Sequence, residues 1–320
     1  MTERISNRAG RFCPPGYGYA PSVFSRTNEI EAETLYVVGG LYGNAFALDA
    51  VQEMAAAEPG PVRIVFNGDF NWFNIRPDSF STINESVLRH TALRGNVETE
   101  LASDDQGVGC GCAYPETVSD EDVARSNSIL SMLRETARGF PDLRARLGAL
   151  PMFASARVAT LRIGIVHGDA ESLAGWRFAQ HSLDEPSNLP WLDAVHATAE
   201  VDIFASSHTC LPVLREFALT RGTLVVINNG AAGMPNFTGT RFGLLTRIST
   251  RPSPITPAYG IRRDGVHVDA LPIRYDHERW TEAFLSDWPP GSPAHDSYYR
   301  RIVEGPGYRA EIARLGLIAA

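Results

Sequence analysis

The sequence predicts an α/β fold built as a sandwich of two β-sheets with helices. Before about residue 212, short apolar runs alternate with longer amphipathic stretches, which is the pattern of strands alternating with helices. After that position, short strand-like runs follow one another, separated by Gly- and Asn-rich turns. Interleaved strands and helices that lead into a run of strands fit a two-sheet α/β sandwich.

Apolar runs predict the buried strands of the first part of the chain. The predicted strands are Leu35–Val38, Val62–Phe66, the short Thr91–Leu93, Leu161–Val166 and Val201–Ala205. The amphipathic stretches predict helices at Asn44–Glu58, in two segments between Ser119 and Leu147, and at Asp193–Glu200. The acidic residues after Ser119 suit the positive end of a helix dipole, so a helix should begin there.

The later part of the chain is predicted to contain strands and then helices. The strands are Pro212–Phe217, Thr223–Asn228 and Phe242–Ile248, and the helices are Ala294–Glu304 and Tyr308–Leu315. Residues 1–33 are rich in Pro and Gly, which predicts an extended N-terminal arm. We therefore expect this arm, a main domain over residues 34–250, and a C-terminal extension, residues 251–320, packed on that domain.

Composition excludes several other classes of protein. The chain has 320 residues, 44% of them hydrophobic and 21% charged, which is enough for one large core. A formal net charge of −8 argues against a nucleic-acid partner, since phosphate contacts need clustered Lys and Arg. The first residues are polar and no apolar run reaches the roughly 18 residues of a membrane helix, so we expect a cytoplasmic protein without a membrane partner. Four cysteines in so long a chain predict free thiols.

Short polar motifs directly follow the predicted strands. They are Gly40–Asn44, Asn67–Asn71, Arg94–Glu98, Val166–Asp169 and Ser206–Pro212. In open α/β sheets, the loops that leave the carboxyl ends of adjacent strands converge on one crevice. We therefore expect the side chains of these motifs to share a pocket.

The order and spacing of the motifs resemble the calcineurin-like metallophosphoesterases. In that family the motifs read D-x-H-G-N, G-D, G-N-H or G-N-C, H-G and G-H-T-H, and the resemblance covers about residues 34–250. It implies a four-layer α-β-β-α sandwich, in which two mixed β-sheets are flanked by helices. It also implies a metal-dependent hydrolase that acts on a phosphoester.

By this resemblance, four residues hold the second of the family's two metal ions and carry the catalysis. They are Asp69, Asn96, His167 and His208. A carboxylate, an amide oxygen and two imidazoles are ligands that suit Mn²⁺, Fe²⁺ or Zn²⁺. The expected cofactor is therefore one divalent transition metal ion.

The first metal position is different, because the residues that match its family ligands are Gly40, Tyr42 and Cys210. Glycine has no side-chain ligand, and a phenol with a pKa near 10 is a poor ligand for most divalent ions. Cys210 can bind as a thiolate, which would favour Zn²⁺ over Mn²⁺. We expect one ion rather than two, with Cys210 as an additional ligand.

The motifs also lack a proton donor. Many relatives carry a His that protonates the leaving group directly after G-N, and this chain has Val97 there. General acid catalysis contributes roughly 10²- to 10⁴-fold. Hydrolysis of substrates with an acidic leaving group is therefore still expected.

Three residues are predicted to bind the substrate, namely Arg94, Tyr42 and Asn71. For Arg94, contact with a phosphate oxygen competes with ordinary pairing at the surface. The C-x-C pair Cys110 and Cys112 lies in a Gly-rich loop. This loop either reaches the metal centre as a soft ligand or redox pair, or is a flexible loop with two free thiols.

Two functions remain open at the level of sequence. The first is a metallophosphoesterase-like hydrolase of a small phosphoester or nucleotide, with a single metal ion. The alternative is a catalytically inactive binding or scaffold protein that kept the fold. The four intact ligands favour the enzyme, whereas Gly40, Tyr42, Val97 and Cys210 favour the scaffold.

Overall fold

The computed structural model describes residues 8–26, 29–105 and 107–319. The first seven residues, which contributed to the expectation of a chain without a signal peptide, lie outside the described residues. The strands within this part, in chain order, are β1 (Glu29–Glu31), β2 (Thr34–Val38), β3 (Val62–Asn67), β4 (Thr91–Leu93), β5 (Phe153–Val158), β6 (Leu161–Val166), β7 (Ile203–Ser206), β8 (Pro212–Leu219), β9 (Gly222–Asn229), β10 (Gly243–Ser249), β11 (Tyr259–Arg263), β12 (Val266–Ile273) and β13 (Arg314–Ala319).

The helices surround these strands. They are α1 (Val23–Arg26), α2 (Ala45–Ala56), α3 (Pro77–Val87), α4 (Asn96–Ala102), α5 (Asp120–Arg138), α6 (Pro141–Gly148), α7 (Gln180–Leu183), α8 (Leu189–Ala199), α9 (His277–Asp287), α10 (Pro293–Glu304) and α11 (Ala310–Ala313), with short 3-10 turns at Pro15–Tyr17 and Pro186–Asn188. Side-chain caps fix two of the predicted helix starts. Asn44 accepts from the amide of Ala47 before α2, and Ser119 accepts from the amide of Asp122 before α5.

The strands form two mixed sheets. Their orders are β1-β5-β6-β7-β9-β8-β13 and β11-β12-β10-β2-β3-β4. In the second sheet, β2, β3 and β4 run parallel, while β10 is antiparallel to β2. In the first sheet, β6, β7 and β9 run parallel, and β5 and β8 are antiparallel to their neighbours. The parallel strands thus place the predicted motif loops at their carboxyl ends.

Alternation along β2 shows how the layers stack. Leu35 and Val37 pack between the two sheets, whereas Tyr36 and Val38 face the helices on the other side. The first sheet likewise buries its outer face, including Phe204, against residues of α7 and α8. The order of layers is helix, sheet, sheet, helix, and the predicted fold class is confirmed.

The terminal segments add strands to both sheets. β1 pairs with β5, β11 and β12 extend the sheet from β10, and β13 pairs with β8. The predicted helix Tyr308–Leu315 is only half right, because α11 covers Ala310–Ala313 and the chain then continues as β13. One cause lies far away in sequence. The buried guanidinium of Arg215 on β8 donates to the backbone carbonyls of Ile312 and Ala313 and fixes the chain there.

No helix within the described residues is long and apolar enough to cross a lipid bilayer.

A buried ion pair ties helix α2 to the second sheet. Arg247 on β10 is 0% exposed and donates to both carboxylate oxygens of Glu58, at 2.6 and 3.0 Å. Tyr36 on β2 donates to the same carboxylate. A charge buried this deeply depends on its partner, because no water can replace it.

Replacing Glu58 with Ala should therefore lower the free energy of unfolding by up to about 3–5 kcal/mol, because the buried Arg247 would keep only the more distant carboxylate of Asp269, at 3.6 Å. Urea unfolding at neutral pH would measure it. Exposed Glu53 on α2 provides the matched control, and Glu53→Ala should change stability by less than about 0.5 kcal/mol. Equal effects of the two changes would show that the pair does not stabilise the fold.

Candidate metal centre

Four polar side chains follow four parallel strands and lie at one edge of the sandwich. Asp69 follows β3, Asn96 begins α4 after β4, His167 follows β6, and His208 follows β7. The second sheet therefore supplies the two oxygen ligands and the first sheet supplies the two imidazoles. All four side chains are buried.

The four side chains meet around the Nε2 atom of His167. This nitrogen lies 3.3 Å from Oδ2 of Asp69, 3.1 Å from Oδ1 of Asn96 and 3.1 Å from Nδ1 of His208. The ligand atoms of Asp69, His167 and His208 all lie within 4.8 Å of one another. The structure thus brings together the residues that the motifs predicted to share a pocket.

These spacings fit a single cation. Ligands about 2.1 Å from a tetrahedrally coordinated ion are separated from one another by about 3.4 Å. The measured separations around His167 are close to that value. Two imidazoles and two oxygen donors are also the ligand set that borderline divalent ions prefer, so the residues present fit the ion implied by the resemblance.

Backbone carbonyls orient both imidazole rings. Nδ1 of His167 lies 3.0 Å from the carbonyl oxygen of Asn67, and Nε2 of His208 lies 3.1 Å from that of Cys112. Because a carbonyl oxygen only accepts, each of these nitrogens carries a proton. The opposite nitrogen of each ring faces the ligand cluster, as a metal-binding histidine requires.

The two rings differ in pKa. Burial, together with the adjacent His167, lowers the pKa of His208 to about 3, so this ring is neutral at ordinary pH. Burial has the largest single effect on His167 and would lower its pKa, but the Asp69 carboxylate, Glu98 and the Asn67 carbonyl together raise it. A divalent cation attracted by Asp69 would compete with that proton for Nε2 of His167.

A buried carboxylate, Glu98 on α4, holds the loops that carry the oxygen ligands. It accepts hydrogen bonds from the backbone amides of Asp69 at 2.8 Å, Gly95 at 2.9 Å and Asn71 at 3.2 Å. Burial and the nearby Asp69 raise the pKa of Glu98 to about 7. Asp69 has a φ of 53°, a left-handed backbone that few non-glycine residues adopt without such support.

The family motifs assign no role to Glu98, although the local sequence contains a signal for one. An acidic residue three positions after the N-cap of a helix commonly bonds back to the cap's amide, and Gly95 is the N-cap of α4. The remaining amides bonded by Glu98 lie on a different loop. No local rule could have predicted them.

The loop that contains Cys110 and Cys112 reaches the centre through its backbone. The carbonyl of Cys110 accepts from Nδ2 of Asn96 at 2.9 Å, and the carbonyl of Cys112 accepts from His208. Both thiols are buried and free, and the Cys112 sulfur lies 3.5 Å from Nδ2 of Asn96. The loop therefore orients two of the predicted metal ligands.

A cavity of about 160 Å³ opens beside the centre. Asp69, Asn96 and His208 border it on one side. Besides Tyr42, four aromatic side chains border the cavity, and these four are termed the aromatic wall. They are Trp72, Tyr114, Trp176 and Tyr298.

Two solved structures are similar to this chain over most of its length. A hypothetical protein from Pyrococcus horikoshii is 14% identical, with a TM-score of 0.58, and the match covers 87% of this chain and 100% of that one. A metallophosphoesterase from Sphaerobacter thermophilus is 15% identical, with a TM-score of 0.53, and the match covers 85% of this chain and 100% of that one. The chain has the calcineurin-like metallophosphoesterase fold.

No protein-family model matches the sequence, and no curated protein matches it either. The metallophosphoesterase fold expected from five short motifs is nevertheless confirmed by the three-dimensional similarity. At such low identity the similarity establishes the fold, and the chemistry must be argued from the residues themselves.

The residues that match the first metal's ligands by the sequence resemblance pack against one another. A Cβ atom added to Gly40 would lie 2.8 Å from Cε2 of Tyr42, so the phenol ring covers the glycine. The Tyr42 hydroxyl lies 2.8 Å from the Cys210 sulfur. Burial raises the pKa of both groups, which keeps them neutral and paired with each other. Cys210 was predicted as a metal ligand, but it is not a member of the group around Asp69.

The predicted substrate contacts have different positions. Tyr42 lines the cavity. Arg94 does not line it and instead donates to the carbonyl of Gly148 at 2.8 Å. Asn71 also lies outside the cavity lining, where its amide group bonds to Asn84 and Glu98. The structure therefore supports neither Arg94 nor Asn71 as a direct substrate contact.

Glu98→Gln should lower the free energy of unfolding by about 1–3 kcal/mol, because the new NH₂ group would oppose backbone N–H donors where a carboxylate oxygen now accepts. Urea unfolding would measure the change. The exposed Glu282 on α9 provides a control, and Glu282→Gln should cost less than about 0.5 kcal/mol. A Glu98→Gln protein as stable as the wild type would show that the carboxylate does not hold these loops.

The contact between Gly40 and Tyr42 predicts a coupled effect on stability. Gly40→Ala should destabilise the fold, because its Cβ would clash with the phenol ring and because the φ of Gly40 is 65°. In a Tyr42→Ala background the clash disappears, so the cost of Gly40→Ala should fall by about 0.5–3 kcal/mol. A double-mutant cycle of unfolding free energies would measure this coupling, and strict additivity would exclude it.

Proposed function

We propose that this chain is a metal-dependent phosphoesterase that uses one divalent ion, held by Asp69, Asn96, His167 and His208. One observation carries the proposal. Four donor atoms from loops that follow four different strands meet around a single point with the spacing of metal ligands. Carbonyl bonds that turn the two imidazole nitrogens toward this point support it further.

Bound there, the cation would polarise a phosphoryl oxygen and acidify water. The chain's own residues orient the site and exclude solvent. Nε2 of His208 is committed to the Cys112 carbonyl, and Val97 at the cavity wall has no proton to give. Neither His208 nor Val97 is therefore available to protonate a leaving group. This favours small phosphoesters with an acidic leaving group. A cytoplasmic location stays a prediction from the sequence.

Asp69→Asn should remove the bound metal and the turnover together. The loss of metal affinity should exceed the roughly 10- to 100-fold typical of changes to outer partners of metal ligands. Metal content by mass spectrometry, and hydrolysis of chromogenic phosphomonoesters and phosphodiesters with and without added Mn²⁺, would measure both. Asp49→Asn, at an exposed position on α2, is the control and should leave both unchanged.

A wild-type protein with no stoichiometric metal, and with no turnover above that of Asp69→Asn, would contradict the proposal. Such a result would favour the second candidate, a catalytically inactive binding or scaffold protein. The contact of Tyr42 with Cys210 favours that candidate, because two of the residues that match the first metal's ligands by resemblance are neutral and bonded to each other. The same two measurements therefore distinguish the two functions.

A further inference from the structure

Arg301 brings a fixed positive charge into the wall of the cavity. It lies on α10, in the C-terminal segment beyond the family motifs. Its Nη2 donates to the carbonyl of Cys210 at 2.7 Å, and its Nε donates to the carbonyl of Pro235 at 3.3 Å. These bonds hold the guanidinium plane in one orientation.

No carboxylate of the described residues forms an ion pair with Arg301. The adjacent Arg300 shows the contrast, because its Nε lies 3.0 Å from Glu304 on the exposed face of the same helix. Among the described residues that line the cavity, Arg301 is the one with a permanent positive charge. Its charge is therefore available to an anion in the cavity.

The charge of Arg301 lies close to Cys210 and Tyr42. Arg301 bonds to the backbone of Cys210, whose sulfur contacts Tyr42. Positive charge thus lies beside the pair of Tyr42 and Cys210, and Asp69 is the one carboxylate among the described residues that line the cavity.

The rest of the cavity is lined by flat rings. Within the aromatic wall, Nε1 of Trp176 donates to the Cys112 carbonyl at 3.0 Å, and the Tyr114 hydroxyl lies 3.0 Å from the Ser126 hydroxyl. Trp72 and Tyr298 contact each other edge to face, with ring centroids 6.5 Å apart. Rings fixed in this way offer faces and edges against which a planar aromatic group can pack.

We propose that the cavity binds a small aryl phosphate, with the phosphate on Arg301 and the ring against the aromatic wall. Two N–H groups of a guanidinium can donate to two oxygens of one phosphate at the same time. An aryl alcohol, with a pKa near 10, is also a leaving group that needs less protonation than an aliphatic one, which agrees with Val97. The choice of an ester rests on the proposed phosphoesterase function, whereas the recognition of anion and ring does not.

Binding can be measured apart from catalysis. Isothermal titration in EDTA, which removes the ion needed for turnover, with phenyl phosphate, ethyl phosphate and phenol separates the two parts of the ligand. The wild-type chain should bind phenyl phosphate more tightly than either ethyl phosphate or phenol. Equal affinity for phenyl phosphate and ethyl phosphate would overturn the role of the aromatic wall, and equal affinity for phenyl phosphate and phenol would overturn that of Arg301.

Arg301→Met should lower the affinity for phenyl phosphate and for ethyl phosphate by about 10- to 100-fold, the range for a charge-assisted hydrogen bond. Arg301→Lys should lose less, because it keeps the charge but not the planar donors. Arg300→Met, on the same helix, should leave both affinities unchanged. Thermal unfolding of each variant checks the fold, and a folded Arg301→Met protein with wild-type affinity would refute the proposal.

Trp176→Leu tests the ring contact. It should weaken phenyl phosphate while leaving ethyl phosphate unchanged, and Trp191→Leu, outside the cavity lining, should change neither. Equal losses for both phosphates would mean that Trp176 acts through the centre and not on the ring. Tight phenyl phosphate binding without turnover or metal would keep this inference and remove the proposed hydrolase function, so the two failures are distinguishable.

Discussion

The candidate metal centre depends on the hydrogen bonds that the carboxylate of Glu98 accepts from backbone amides. This carboxylate binds backbone amides from two loops of one sheet, and so fixes Asp69 in a left-handed conformation beside the start of α4. The first sheet contributes two imidazoles, which are turned by the carbonyls of Asn67 and Cys112. The centre is therefore a junction between the two sheets, and backbone groups determine its geometry as much as side chains do.

The sequence predicted the structural features that depend on residues close to one another in the chain. Apolar runs predicted the strands, and the motifs after them predicted that Asp69 and His167 would meet, because parallel strands end at one edge. β13 and the position of Arg301 depend on contacts with residues about a hundred and about ninety positions away, at Arg215 and Cys210. Neither contact leaves a local pattern, so the predicted helix runs two residues into β13, and Arg94 was predicted as a substrate contact although Arg301 is the arginine that lines the cavity.

The three residues that match the first metal's ligands by resemblance, Gly40, Tyr42 and Cys210, are linked by contacts. Gly40 leaves room for the ring of Tyr42, and the hydroxyl of Tyr42 pairs with Cys210. Burial keeps the phenol and the thiol neutral, so these residues pack as one uncharged group. Arg301, bonded to the carbonyl of Cys210, places a positive charge beside that group.

The order of these residues along the chain has a consequence for biosynthesis. All four proposed metal ligands precede residue 209, whereas Tyr298 and Arg301 close the cavity from near the C-terminus. Domains generally fold as units during synthesis. The cavity can therefore be completed only after α10 has been translated, although all four proposed ligands are synthesised well before it.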